Sequence, residues 1–338
     1  MENWYKGKCV ALRAMEIQAA GFLLFMKRRA WCGSWLMIRL SLVAAIFLTA
    51  MVTSHAVGTA ALALEGPVVV TNCDTPGDIR MLYPGGLKKA LTFSWDDGRE
   101  YDYKLVELMD KYGLRGTFHL CSGLLDKPGY VKSQDVKKLY AKHEVASHTI
   151  NHANLPQCDD AKLKQEVMED CKALEKLVGY PVYGLAYPGG EADERVVKML
   201  PTFGIRYARV VGTHNWFAMP KSRMTWVMTS TIGPVAGNAK RFLEWGTFPA
   251  LLSAWGHSYE LGEGNVWGTM DEIGKALGGR KDIWYATNIE IINYMDATKM
   301  LVFSSDKKSV QNPTKLEIWI SVKDKPYKIA PGQKVALK

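Results

Sequence analysis

From Ala90 to about residue 300, short apolar runs alternate with stretches of helical spacing. Runs rich in β-branched and aromatic residues at 91–95, 117–121, 144–148, 182–187, 205–211, 225–230, 251–255 and 283–286 predict strands. Helices are predicted at 103–111, 133–142, 160–178, 192–200, 238–244, 271–277 and 289–298. The clearest covers 160–178, where Leu163, Val167, Cys171, Leu174 and Val178 fall on one face before Gly179 and Pro181 stop it. This strand-then-helix rhythm predicts an α/β fold, a parallel sheet or barrel inside a helical layer. Residues 64–89, rich in Gly and Pro, read as an irregular lead-in. Beyond residue 300 the pattern changes to short strands at 316–322 and 327–329, read as a small C-terminal β appendage over 301–338.

In such folds ligands sit at the carboxyl ends of the strands, and the polar clusters of this chain fall there. The run Leu91-Thr92-Phe93-Ser94-Trp95 ends in Asp96-Asp97-Gly98; His148 ends a second strand, Pro188-Gly189 follows another, and His257 ends a fourth. Two adjacent carboxylates after a buried strand are costly unless a cation or a shared proton consumes their charge. His148 and His152, four residues apart, share one face if the segment winds as a helical turn, and two imidazoles with a carboxylate are a common catalytic metal set. The residues assign a zinc-type ion to Asp97, His148 and His152, leaving Asp96 as general base and His257 as general acid. Gly189 and Gly190 can present a backbone N–H to an oxyanion.

Composition changes the picture at one end only. The 338-residue chain has a formal charge of +9, but Lys6, Lys8, Arg13, Lys27, Arg28, Arg29 and Arg39 against Glu2 and Glu16 account for more than half of it. No dense basic run remains, so a nucleic-acid partner is not supported. The basic cluster precedes an apolar run over 40–52 and the small residues Ala61-Leu62-Ala63. That layout predicts a signal peptide cleaved near Ala63 within an N-terminal segment 1–63, hence a secreted or periplasmic protein with no stable membrane span; an uncleaved anchor is the competing reading. Cleavage leaves Cys73, Cys121, Cys158 and Cys171, with disulfides and free thiols both open.

These residues resemble the polysaccharide deacetylase family, the NodB-homology group of carbohydrate esterase family 4. Ser94-Trp95-Asp96-Asp97-Gly98 is similar to its first motif, His148-Thr149-Ile150-Asn151-His152 matches its second, and Trp255-Gly256-His257 looks like its last. The resemblance implies a distorted (β/α) barrel of about seven strands over 90–300, a divalent metal, most often Zn2+, and an acetylated poly- or oligosaccharide as partner. It implies Asp96 as base, His257 as acid and Asp97, His148 and His152 as metal ligands. Tyr187, Pro188, His214, Trp216 and Trp255 are candidates to line the substrate. Two departures stand out. The third motif carries an arginine that orients the base, and here it reads Ala186-Tyr187-Pro188-Gly189-Gly190; the Asp–Trp pair of the fourth has no clear match, and His214-Asn215-Trp216 lies in roughly its region. The expected activity is hydrolysis of N- or O-acetyl groups, with a deformylase-like hydrolase or an inactive carbohydrate-binding homologue as alternatives.

Overall fold

Strand alternation on the first predicted strand sets the layout of the fold. The computed structural model describes residues 79–338; the expected leader, its cleavage site and Cys73 lie outside the described residues. In chain order the elements are β1 (Ile79–Leu82), β2 (Lys89–Asp97), α1 (Asp102–Lys111), β3 (Gly116–Leu120), α2 (Val136–Leu139), β4 (Glu144–Ser147), α3 (Asp160–Val178), β5 (Gly184–Ala186), α4 (Glu194–Met199), β6 (Tyr207–Thr213), β7 (Trp226–Met228), β8 (Ser230–Thr231) and α5 (Val235–Leu243). There follow β9 (Ala250–His257), α6 (Ser258–Glu263), α7 (Gly268–Leu277), β10 (Ile283–Tyr285), α8 (Asn288–Lys299), β11 (Val302–Phe303), β12 (Ser309–Gln311), β13 (Ile318–Val322), β14 (Lys325–Ile329) and β15 (Lys334–Ala336).

The parallel order is β7-β6-β5-β4-β3-β2-β9-β8. Its two ends belong to one short stretch of chain. Trp226 and Met228 pair with Arg209 and Thr213 of β6, and Ser230 and Thr231 pair with Ala254 and Trp255 of β9. Thr229 sits between them, donating its N–H to Ser253 Oγ at 3.1 Å. The stretch 226–231 therefore closes the sheet into an irregular barrel of seven staves. Strand β10 pairs only with the first three residues of β2, on the edge that β3 occupies farther along.

Along β2, Leu91, Phe93 and Trp95 pack in the main core between the barrel and its helices, with Leu105, Met109 and Phe118. A period of two sends Thr92, Ser94 and Asp96 to the barrel interior, and all three are buried. That interior is polar. Glu144 receives the Tyr207 hydroxyl at 2.8 Å, the Thr117 hydroxyl at 2.8 Å and the Ile289 N–H of the first turn of α8 at 2.9 Å, yet burial pushes its pKa up to about 7.

Two expectations change. The lead-in is not wholly irregular, since β1 pairs antiparallel with β13 of the C-terminal appendage. The appendage is two three-stranded sheets, β1-β13-β14 and β11-β12-β15, around Val310, Ile318, Ile320 and Ile329. The Tyr294 hydroxyl of α8 fastens it to the barrel, donating to Leu82 O and accepting from the Trp319 N–H. Helix α6 went unanticipated because its six residues, with Gly262, are too few for a periodic signal. Cys121, Cys158 and Cys171 are free thiols. No helix among the described residues is long and apolar enough to cross a membrane.

Candidate metal and catalytic site

The polar strand ends converge at one rim of the barrel. Strand alternation alone would turn Asp97 outward with Phe93 and Trp95; instead its backbone is left-handed, at φ 80°, and its carboxylate stays at the rim. Asp97 Oδ1 lies 3.5 Å from His148 Nε2 and 3.7 Å from His152 Nε2. The histidine segment is not a helical turn. It is a loop in which Thr149 (φ 65°) and His152 (φ 58°) are left-handed, conformations uncommon for non-glycine residues and unusual for a β-branched one. Those two reversals set the imidazoles 4.8 Å apart at 77°.

Helix α3 holds this loop in place. Asp170 accepts the Ser122 N–H at 2.7 Å and the Ser147 hydroxyl at 2.6 Å, and Ser147 Oγ accepts the Thr149 N–H at 3.2 Å. One turn earlier, Glu166 accepts the Asn151 N–H at 3.0 Å and its side-chain amide at 3.2 Å. Sequence reading used only the apolar face of this helix. Two acids spaced i, i+4 beside that face were the available signal.

The residues fit a divalent cation. Asp97 Oδ1 is buried and has no hydrogen-bond donor, which is costly for a carboxylate oxygen unless a cation meets it. His148 Nδ1 lies 2.8 Å from Ala186 O, so this nitrogen carries the proton and Nε2 is left as a lone-pair donor toward Asp97. Burial lowers the pKa of His148 despite the charges of Asp96 and Asp97, which keeps the ring in its ligating form. Asp97, His148 and His152 bring their ligand atoms within 4.8 Å of one another.

Asp96 stands apart from that trio. It faces the interior, 3% exposed, and its Oδ2 accepts from Arg209 Nη2. Arg209 lies on β6, fully buried, with Nε donating to Ser94 Oγ at 3.2 Å and its guanidinium 4.8 Å from the Trp255 ring centre. Burial resists ionisation of Asp96, but the charges of Arg209 and of His148, His119 and His257 outweigh it and hold the carboxyl far below its ordinary range. Only Arg209 among these is permanently charged. His119, 3.5 Å from Asp96 Oδ1, is pushed down to about 3 by burial and stays neutral.

On the other flank, His257 Nε2 is 3.9 Å from Asp96 Oδ2, and Nδ1 is 2.6 Å from Glu260 Oε1 on α6. Burial lowers the pKa of His257, yet the Glu260 hydrogen bond and the nearby Asp96 and Asp97 charges raise it overall. The Trp255 and Tyr259 rings lie 5.9 Å and 4.9 Å from the imidazole. The rim thus combines a candidate cation site, a carboxylate kept ionised and an imidazole kept protonated to higher pH than usual.

Residues 85–208 match the family model for polysaccharide deacetylase. Over this segment the chain is similar to the polysaccharide deacetylase family. The chain is 26% identical over 155 residues to a peptidoglycan-N-acetylglucosamine deacetylase of Bacillus cereus, a match covering 45% of this chain and 69% of that one. Among solved structures, it resembles a polysaccharide deacetylase from Bacillus cereus at a TM-score of 0.34 and 23% identity, over 36% of this chain and 40% of the other. It also resembles a family pseudoenzyme from Bacillus anthracis at a TM-score of 0.43 and 15% identity, over 62% and 66% of the two chains. The chain therefore spans well under half the length of the first of these structures.

On the structure, the departure at the motif arginine acquires a physical account. The position of the missing arginine, Ala186, is the direct cross-strand partner of Arg209. The guanidinium beside Asp96 comes from the next strand. Arg209, the second of two arginines in the predicted strand 205–211, was its only trace in the sequence. Beside His257, Glu260 supplies a carboxylate from one helical turn along. Of the other candidates, Gly189 is left-handed, and an added Cβ there would meet nothing within 4 Å. Trp255 lines the site. Tyr187 does not offer its ring to the rim, being 1% exposed with its hydroxyl donated to Met224 O at 2.9 Å, and Pro188 is buried beside it. His214 and Trp216 follow β6, where Trp216 N–H donates to His214 Nδ1 and the indole packs on Trp245. None of their hydrogen bonds or ring contacts reaches Asp96, Asp97 or His257.

Proposed function

We propose that the protein is an exported, metal-dependent deacetylase of acetylated glycans, with Asp97, His148 and His152 holding the metal, Asp96 as base and His257 as acid. The observation that carries this reading is the division of labour at Asp96-Asp97. Each carboxylate has an orphaned oxygen, but that of Asp97 faces the His148 and His152 imidazoles, whereas Asp96 is paired through its other oxygen with a buried arginine. The relative named for peptidoglycan N-acetylglucosamine supports an N-acetylated glycan as substrate, and the basic-then-apolar segment before Ala63 supports export.

A divalent ion at the trio, most often Zn2+ in this family, supplies Lewis acidity to the acetyl carbonyl and lowers the pKa of water there. Asp96 removes a proton from the attacking water, whose oxygen bonds to the carbonyl carbon. The Gly189 N–H donates to the developing oxyanion. His257 then delivers a proton to the leaving nitrogen as the C–N bond breaks, giving acetate and a free amine. Acetate release from N- and O-acetylated glycans, with and without chelator, tests the reading; no release with the metal-loaded protein would overturn it. His148→Ala should lose stoichiometric metal, measured by elemental analysis on folded protein, and full retention would remove His148 from the ligand set.

Glu260→Gln should move the alkaline limb of the kcat/KM profile to lower pH. The acid must be protonated to act, Glu260 raises its pKa, and removing that charge lets His257 lose its proton earlier. An unmoved limb would exclude Glu260 as its partner.

A further inference from the structure

Beside the proposed catalytic rim, one cation has chemistry that the hydrolysis does not use. Arg99 follows Asp97 by two residues. Among the described residues it has no carboxylate within ion-pair distance, unlike Arg115, Arg195, Arg206, Arg209, Arg223 and Arg280. Its guanidinium lies 4.8 Å from the Tyr130 ring centre and 5.5 Å from that of Tyr259. Nε donates to Gly129 O at 3.1 Å. Val131 N–H donates to Gly98 O and Glu100 N–H to Gly129 O, so two stretches of backbone fasten this arginine where it stands. Gly129 is left-handed at φ 83°, and a Cβ there would come to 3.6 Å from Arg99 Nη2; the loop passes close under the guanidinium without a side chain.

Tyr259 links this group to the chemistry, because its ring also lies against His257. Arg99 is thus a single aromatic ring beyond the imidazole assigned as acid. With Nε committed to Gly129, the Nη edge is what a ligand meets. A held guanidinium fork over tyrosine rings suits an oxyanion on a sugar, since the fork takes two oxygens at once and the rings offer apolar faces.

Resting on the deacetylase reading for the neighbouring site, we infer that Arg99, Tyr130 and Tyr259 form a subsite for an anionic substituent, carboxylate or phosphate, on the glycan residue next to the one that is deacetylated. The protein would then select acidic glycans over neutral ones.

The test is binding, kept separate from turnover. Calorimetry with the metal-loaded full chain compares a tetrasaccharide of alternating N-acetylglucosamine and N-acetylmuramic acid, the same compound with its carboxylates amidated, and an N-acetylglucosamine oligomer with and without 6-phosphate. Native protein should bind one acidic member of a pair about ten- to a hundredfold more tightly than its neutral counterpart, the span of one charge-assisted hydrogen bond; which pair responds names the anion. Arg99→Gln should abolish the preference with neutral-ligand affinity unchanged, and Arg99→Lys should keep part of it. Equal affinity of native protein for acidic and neutral members of both pairs overturns the subsite, as does a preference that survives in Arg99→Gln. Equal losses on neutral and acidic ligands in both variants also overturn it, marking Arg99 as structural. Acetate release assayed in parallel judges the deacetylase reading separately, because a preference in binding does not require turnover.

Discussion

Asp96→Asn is expected to lower kcat for acetate release by about 10²- to 10⁴-fold, the usual range for a positioned proton acceptor, while metal content stays at the native level. An amide keeps an oxygen for Arg209 but cannot accept the water's proton. The trio of Asp97, His148 and His152 does not include Asp96, so the ion has no reason to leave. The variant also leaves the Arg209 charge buried without its counterion, so a fall in thermal stability should accompany the loss. Activity is therefore read well below the transition, with elemental analysis on the same sample. Activity within tenfold of native would take Asp96 out of the base role; loss of metal would mean that it ligates. The low pKa of Asp96 bears on this. Arg209 keeps the carboxylate ionised at any working pH and also makes it a weaker base than a free aspartate, so its contribution comes from position more than from basicity.

Arg209→Met should be the most destabilising single change at the site. Arginine and aspartate are both fully or almost fully buried, and removing one partner of a buried pair typically costs about 3–5 kcal/mol because the other is left uncompensated. For a domain of this size that is roughly a 10 °C drop in unfolding temperature, measurable by calorimetry. Activity should fall as well, since nothing else permanently charged orients Asp96. The register supplies a sharper version. Ala186 and Arg209 are direct partners on adjacent parallel strands, so Ala186→Arg combined with Arg209→Ala moves the guanidinium by one strand spacing. If orienting Asp96 is the role of the arginine, the double variant should recover activity that Arg209→Ala alone lacks. A single variant as stable and active as native would refute the pairing, and a stable double variant with no recovery would tie the role to Arg209's own strand.

Most of the barrel was legible because parallel strands buried on both faces read as apolar runs of limited length, and eight such runs were present. The candidate trio of Asp97, His148 and His152 could be picked out because its members are close in sequence or directly follow strands. What escaped followed from distance along the chain. Arg209 and Asp96 are 113 positions apart, and neither shows which strand will lie next to which. Glu260 escaped because α6 is too short to announce itself. Glu166 and Asp170 escaped because their partners, the 147–151 loop and Ser122, lie 15 or more positions away in the chain. The strand in the lead-in was invisible because its partner, β13, lies more than two hundred residues away.

By itself the sequence determined the alternation of strands and helices, the placing of acids and imidazoles at strand ends, and hence the chemistry available at one rim. Those are local properties, set by side-chain periodicity and by the residues that end each run. Only the tertiary structure decided how that chemistry is divided. Left-handed backbone at Asp97, Thr149 and His152 turns three candidate ligand atoms together; β9 pairs directly with β2 and sets His257 opposite Asp96, and barrel closure at 226–231 brings β6 with Arg209 round to them. Charge pairing inside a barrel depends on which strands become neighbours, and that is fixed by the packing of the whole sheet, which no single stretch of chain encodes.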